Sequence, residues 1–437
     1  MTSLGRVSNT RLPTDWTVVA LGDLLAKLMD FRGRTPKKLG MDWGGGAIPA
    51  LSANNVRMGF VDFKRECYLG SEELYKAWMV QGDVKRHDLV FTMEAPLGNV
   101  AVISDDRKYI LSQRVVLLRP NSKVQFEYLF QYLRGDAFTA LLDSNSTGTT
   151  AKGIQQKRLV QLPVVVPPIA EQQKIAVVLT AVDDKLKVIA RQIEATQALK
   201  QGLMQTLLSR GVGTQDATGR WIPHTEFKDS ELGAIPARWS VKEIGEALSV
   251  VERPIKMADD QLYRRVTVRR RHGGVDLRDE LPGAGIKVKN QFLLEAGDFL
   301  ISERQIVHGA CGILPEHLAG ALVSNEYLVL QAKEGFDVTY FNYLVQLLKY
   351  SKLFLVCSQG VDIEKFLFKP KDWLKKRIPV PPLAEQQRIA EILATIEEKT
   401  NALQRKQSEY ENLKRGLMQK LLTGEWRVKL DSPTGIA

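Results

Sequence analysis

Residues 167–179 read PPIAEQQKIAVVL, and residues 381–393 read PPLAEQQRIAEIL. Nine of these thirteen positions are identical. Further on, residues 201–211, QGLMQTLLSRG, agree with residues 415–425, RGLMQKLLTGE, at six of eleven positions. Both matches sit at one offset of 214, without a gap between them. The chain is therefore a tandem duplication, and its period is far too long for a solenoid unit. Each copy is a globular part trailed by the same accessory segment. Weaker echoes lie upstream. Leu12-Pro13-Thr14-Asp15-Trp16 with Leu21-Gly22 resembles Ile235-Pro236-Ala237-Arg238-Trp239 with Ile244-Gly245. His87-Asp88-Leu89-Val90-Phe91-Thr92 resembles Gly297-Asp298-Phe299-Leu300-Ile301-Ser302, and Leu111-Ser112-Gln113 resembles Val323-Ser324-Asn325.

The repeated segment has the periodicity of a paired helix. In the first copy Ile175, Leu179, Val182, Leu186, Ile189 and Ile193 are spaced 4, 3, 4, 3, 4. In the second copy the same seam holds Ile389, Leu393, Ile396, Thr400, Leu403 and Gln407. This alternation averages about 3.5 residues and predicts a coiled-coil seam. The pattern extends to Leu199, Leu203 and Leu207, and to Leu413, Leu417 and Leu421. Thr400 and Gln407 are polar seam positions with no evident match in the first copy, and such residues can fix register. Pro167-Pro168 and Pro381-Pro382 suit helix starts, where a missing N–H costs nothing. Glu171 and Glu385 favour the positive end of the dipole. Gly211 and Gly424 suit C-terminal caps. Each helix is predicted to run about 40 residues, or roughly 60 Å. One apolar stripe of that length needs a partner, and the other copy is available. The alternative is that each helix packs only on its own domain.

The rest reads as mixed α/β material. Predicted strands cover 88–92, 100–103, 114–118, 299–302 and 327–330, with helices at Phe126–Leu133 and near 340–348. The polar run 214–231, with Gly219 and Pro223, reads as the link between halves. A chain of 437 residues, 44% hydrophobic, has enough apolar material for more than one core, which rules out disorder as the overall state. No run of about 18 apolar residues is present, so no membrane span is expected. The segment 1–16 lacks the apolar centre of a secretory signal. Three scattered cysteines, Cys67, Cys311 and Cys357, form no disulfide framework and point to the reducing cytoplasm.

The 61 Lys and Arg exceed the 50 Asp and Glu by eleven, which favours an anionic partner. Basic and amide-bearing loops occur in both halves. The first half offers Arg32, Arg34, Lys37 and Lys38, then Asn54, Asn55 and Arg57. The second offers Arg264, Arg265, Arg269, Arg270 and Arg271, five arginines in nine residues, followed by Lys287 and Lys289. Arg, Lys and Asn bind phosphates and read base edges. They are also ordinary solvated surface residues. The loop Gly148-Thr149-Thr150-Ala151-Lys152-Gly153 could place Lys152 against phosphate, although it lacks P-loop spacing.

No catalytic constellation is legible. Walker A, the dinucleotide-binding glycine fingerprint, the nucleophile elbow and the Asn/Asp-Pro-Pro-aromatic tetrapeptide of amino methyltransferases are all missing. Glu397-Glu398-Lys399 mimics a nuclease triplet but falls on the predicted coiled coil. His308, Cys311 and His317 are too irregularly spaced for zinc. No metal and no cofactor is expected in this chain.

Two PP-[IL]-A-E-Q-Q-x-I-A helices, each ending in GLMQxLL and each preceded by a P-x-x-W…[LI]-G domain, closely resemble the specificity (S) subunit of type I restriction-modification enzymes. The resemblance covers about 12–426. It implies an α+β fold with an internal pseudo-twofold repeat. Two similar target recognition domains, 1–166 and 235–380, would be separated by long helices at 167–211 and 381–424. The helices would form an antiparallel coiled coil, with a linker at 212–234 and a C-terminal tail at 425–437. Each domain would read one half of a bipartite, asymmetric duplex DNA target, and the helix pair would act as a ruler. Two methyltransferase (M) subunits, which hold S-adenosylmethionine and methylate adenine N6, would be recruited. Restriction (R) subunits, using ATP and Mg, would join for cleavage. The chain itself would be non-catalytic. Competing readings are a coiled-coil assembly or anti-restriction protein that binds M subunits without reading DNA, and the specificity part of a single-chain restriction–methyltransferase enzyme, which would hold only if the enzyme part were a separate chain, since catalytic motifs are missing here.

Overall fold

The two proline pairs start two long helices. A computed structural model of the chain describes residues 12–148, 151–361 and 366–430. The helices run Ile169–Arg210 and Leu383–Leu421. The Pro168 carbonyl accepts from the Glu171 and Gln172 amides at 2.9 and 3.0 Å, and Pro382 does the same for Glu385 and Gln386. Gly211 (φ 75°) and Gly424 (φ 76°) follow the helices in the left-handed region, where a side chain would be strained.

Burial follows the 4-3 spacing. Ile175, Leu179, Ile189, Ile389 and Leu393 are buried, and so are Val182 and Thr400. Leu186, Ile193, Ile396, Leu403 and Gln407 are half-buried. The expected extension through Leu199 and Leu413 is corrected: these side chains are 50% and 49% exposed. The alternation runs on instead through Thr196 and Lys200, and through Tyr410 and Lys414, all buried or half-buried. An unbroken heptad phase outranks the choice of the nearest leucine. Thr196 also gives the first copy a polar seam position like Thr400. Each threonine hydroxyl donates back to the carbonyl four residues earlier, Gln192 at 2.7 Å and Ile396 at 2.9 Å, so neither is left unsatisfied.

The chain folds as two compact units, Met1–Ala190 with Arg405–Ala437, and Arg191–Gln404. Each unit holds one end of each helix. In the first, Lys414 Nζ meets Asp183 Oδ1 at 2.6 Å. In the second, Lys200 Nζ meets Glu397 Oε1 at 3.0 Å. Moving from Asp183 to Lys200 along one helix moves from Lys414 back to Glu397 along the other, so the helices pair antiparallel. The two ion pairs are copies of each other at the offset of 214.

The globular part of the first unit centres on a four-stranded antiparallel sheet. Its strand order is Leu25–Asp30, Val115–Pro120, Leu89–Thr92, Val100–Val102. The second unit repeats that order with Leu248–Val250, Tyr327–Ala332, Phe299–Ser302 and Cys311–Ile313. The central strands are apolar over most of their length because both faces are covered. Leu89, Phe91, Val116 and Leu118 face a core shared with helix Phe126–Leu133 and with Ile175, Leu179 and Leu421 of the long helices. Val90, Val115 and Leu117 point the other way, toward a small sheet of Tyr68–Gly70, Ile48–Leu51 and Ile110–Leu111. In the second unit Phe299, Ile301 and Leu330 join Leu207, Leu208 and Ile389 in one core. Leu300 and Val329 face a five-stranded sheet that includes Leu262–Val268 and Leu322–Ser324. The long helices therefore pack on the domains as well as on each other. Burying one such Leu or Ile contributes about 1.5–3 kcal/mol. The helix expected near 340–348 is two, Val338–Leu344 and Leu348–Val356.

The link between halves is ordered. Thr214–Gln215 pairs with Trp221–Ile222, and Phe227–Lys228 with Ile235–Pro236. Its anchor is Glu385, in the first turn of the second helix. That buried carboxylate accepts from the Val212 and Gly213 amides at 2.9 and 3.0 Å, from Trp239 Nε1 at 2.8 Å, and lies 2.8 Å from His224 Nε2. In the first unit Glu171 occupies the same place and is bonded to Arg427, which also holds Asp15 at 2.7 Å. The segment read as a tail thus holds a structural residue, Arg427, near its start. Residues 431–437 of that tail, and Thr149 and Thr150 of the 148–153 loop, lie outside the described residues.

Candidate nucleic-acid interface

In the first unit a cleft of about 730 Å³ opens beside the small sheet. Arg34, Lys37, Arg57, Arg65 and Arg114 line it, against one acid, Asp42. Trp43 and Tyr68 stack on its wall with ring centroids 5.4 Å apart. Such a surface attracts an anion and offers aromatic faces.

The predicted residues divide around this cleft. Arg34, Lys37, Asn54 and Arg57 line it. Arg34 is braced by donating to the Trp78 carbonyl at 2.7 Å. The Arg57 side chain makes no hydrogen bond or ion pair among the described residues. Arg32 turns aside to Asp30, 2.6 Å away, and the hydrogen bonds to that carboxylate raise its pKa further. Lys38 donates to the Gly33 carbonyl at 2.6 Å. Asn55 is fully buried, holding the loop through Ser52 and the Glu66 carbonyl at 3.1 Å. Lys152 pairs with Asp143 at 2.9 Å, away from the cleft lining.

The second unit has a cleft of about 420 Å³, lined by Arg265, Arg278 and Lys287 against Glu326. The five-arginine run does not form one patch. Arg264 donates to the carbonyls of His317 and Ala319 at 3.0 and 2.7 Å. Arg265 is bidentate to Asp279 at 2.8 and 2.7 Å, and that bond holds the Asp279 carboxyl below its usual range. Arg269 pairs with Asp276, and Arg270 donates to Gln305 at 2.8 Å. Arg271 is exposed on a turn with φ 58°. Lys289 is tied to Asp259 at 3.1 Å. Strand alternation separates Arg264 from Arg265, and the turn carries the other three. His308, Cys311 and His317 do not converge either. Cys311 Sγ lies 3.4 Å from His272 Nδ1, and burial pushes its thiol up to about 12.

Sequence reasoning missed Trp43, Arg65, Tyr68, Gln113 and Arg114 in the first cleft, and Arg278 and Asn325 in the second. One signal was present. The echo of Leu111-Ser112-Gln113 in Val323-Ser324-Asn325 marks the turn on which both clefts are built. In each unit this turn links the two sheets and is fixed by its backbone. The Met93 amide donates to the Arg114 carbonyl at 2.8 Å, and the Glu303 amide to the Glu326 carbonyl at 3.0 Å. Arg114 sits there at φ 66°.

The comparisons with known proteins agree with this doubled architecture. The chain is 27% identical over 437 residues to the provisionally assigned type I restriction enzyme MjaX specificity subunit of Methanocaldococcus jannaschii, covering 96% of this chain and 95% of that protein. It is 25% identical over 438 residues to the MjaVIII specificity subunit of the same organism, with the same coverage. Among solved structures, the S subunit of a type I restriction-modification system from M. genitalium superposes with a TM-score of 0.57 at 14% identity, over 94% of this chain and 97% of that one. A chain from a type I system solved for its complex assembly and conformational transition gives 0.53 at 20% identity, over 95% and 100%. These two likenesses show the fold. The model of the type I restriction modification DNA specificity domain matches residues 13–197 and again 238–411, once per repeat, and the chain belongs to that family.

Proposed function

We propose that this chain is the DNA-reading, non-catalytic subunit of a type I restriction-modification complex. Each cleft meets one half of a bipartite, asymmetric duplex target. The helix pair sets the spacing and recruits two M subunits, which bring S-adenosylmethionine and methylate adenine N6. R subunits bring ATP and Mg for cleavage. The complex works in the cytoplasm. The observation that carries this reading is a basic cleft built twice on the same turn of a duplicated frame, with different side chains in each copy. A shared frame with different linings suits two similar partners and two dissimilar half-sites. Arg34, Lys37, Arg57, Arg65 and Arg114 would hold phosphates in one half, and Arg265, Arg278 and Lys287 in the other.

Methylation-aware sequencing of the host genome, with and without the gene, tests the proposal. A bipartite adenine-methylated motif that disappears on deletion supports it. An assembly protein that reads no DNA would leave every methylated motif in place, and the purified chain would give no salt-sensitive shift with duplex DNA.

A further inference from the structure

Of the carboxamides lining the two clefts, Asn54 and Gln291 are engaged within the protein, as are several of the charged side chains. Arg34, Arg65 and Arg114 in the first, and Arg265 and Glu326 in the second, each have a partner within the protein. Two amides differ. Gln113 and Asn325 line the two clefts and are exposed. Their side chains make no hydrogen bond among the described residues. They occupy equivalent positions, each following the repeated serine, Ser112 or Ser324.

Their backbones are held firmly. Around Gln113 the Ser112 amide donates to the Leu51 carbonyl at 2.7 Å, and the Gln113 carbonyl accepts from Ala53 at 3.3 Å. In the second unit Ser324 is in register with Gln291 on the neighbouring strand. A carboxamide carries one donor and one acceptor side by side. Only adenine offers the matching pair, N6 and N7, in the major groove. A rigid seat with a free amide at its end gives a preorganised reader. The surrounding cations, by contrast, suit phosphate, which carries no sequence information.

We infer that Gln113 and Asn325 are specificity-determining residues, each reading one adenine in its own half of the target. This rests on the proposed function.

The test uses the full-length chain in complex with its M subunits and a randomised duplex DNA library, with adenine methylation read by sequencing. The wild-type complex should yield one bipartite motif. Gln113→Ala should relax a single A·T position in one half by roughly 5- to 150-fold and leave the other half intact. Asn325→Ala should do the same in the other half only. Gln113→Glu, which can only accept, should shift preference at that position toward cytosine. Either alanine variant leaving both halves unchanged, or both variants altering the same half, would overturn the assignment while the specificity role stands. No motif from the wild-type complex would overturn the specificity role, and the assignment with it. A uniform fall at all sequences would make the amides phosphate contacts and overturn the assignment alone.

Discussion

At the scale of residues, the identity of the AEQQ sequence in both copies has a structural cause. Gln172 is fully buried. Its oxygen accepts from the Gln125 amide at 2.8 Å, and its nitrogen donates to the carbonyls of Lys123 and Pro167 at 3.2 and 2.8 Å. Gln386 makes the same three bonds to Asp337, Gly335 and Pro381 at 2.8, 3.1 and 2.8 Å. Each glutamine ties the start of its long helix to the loop before a shorter helix. Gln386→Ala should cost about 2–3 kcal/mol, because it strands a buried donor and two acceptors. Urea unfolding will measure it, and an unchanged midpoint would refute this role. Asp183 gives a pH signature. Burial raises its carboxyl, but the hydrogen bonds and charge of Arg134, with Gln131 and Lys414, outweigh that and hold it at about 2, below the ordinary 3.8. The folded form is therefore favoured above the ordinary value. The advantage fades as pH falls from about 4 toward 2. After allowance for screening it amounts to about 1–2 kcal/mol. Asp183→Asn should lose that amount at pH 7 and progressively less as the pH falls through about 2, in melts across that range. The helix start was legible in the sequence. The purpose of the glutamine was not, since two of its three partners lie about fifty residues upstream.

At the scale of elements, the seam shows what a periodic pattern can and cannot tell. Six positions per copy sufficed to place the paired face. The continuation failed at Leu199 and Leu413, where the leucines were followed instead of the phase. Lys200 and Lys414 stand on that phase because each finds a carboxylate across the helix pair, at 3.0 and 2.6 Å. No one-copy pattern reveals that. The same register makes a clean test of the ruler. Residues 187–193 face residues 404–410, and removing both sets deletes one full heptad from each helix while keeping both ion pairs. Each helix shortens by about 10 Å, or roughly three base-pair steps of about 3.4 Å. The methylated motif should keep both halves and lose spacer length. A changed half-site with the old spacer would count against the ruler. The small sheets were harder to read. Strands of two or three residues, such as Val56–Arg57 and Ile110–Leu111, are shorter than any periodic signal.

At the scale of the whole molecule, internal ion pairs take one charge of each sign and leave the excess of eleven positive charges intact, and both clefts are lined by cations. Binding to duplex DNA should therefore weaken steeply with salt. Lys37→Ala and Arg57→Ala should each lower the slope of log affinity against log salt by about one, without altering the preferred sequence. An unchanged slope would remove those residues from the phosphate-contacting set. The duplication was plain in the sequence, and so were the basic loops. Which of their side chains point into a cleft was not, because pairing with Asp30, Asp143 and Asp276 diverts several of them. The two anchoring glutamates carry one more consequence. Glu385 gathers the stretch that leaves the first helix, Gly211 to His224, beside Trp239. Glu171 gathers Arg427, just past the second helix, and Gly424 lies against Pro13 and Trp16. One junction is continuous polypeptide and the other is bridged by side-chain contacts between the described ends of the repeat, yet both are held by matching glutamates. The contacts at a junction, rather than its covalent continuity, therefore set how each repeat closes on its helix. A chain spliced across 427 and 13 and reopened in the 216–230 stretch would present the same molecule under a new numbering.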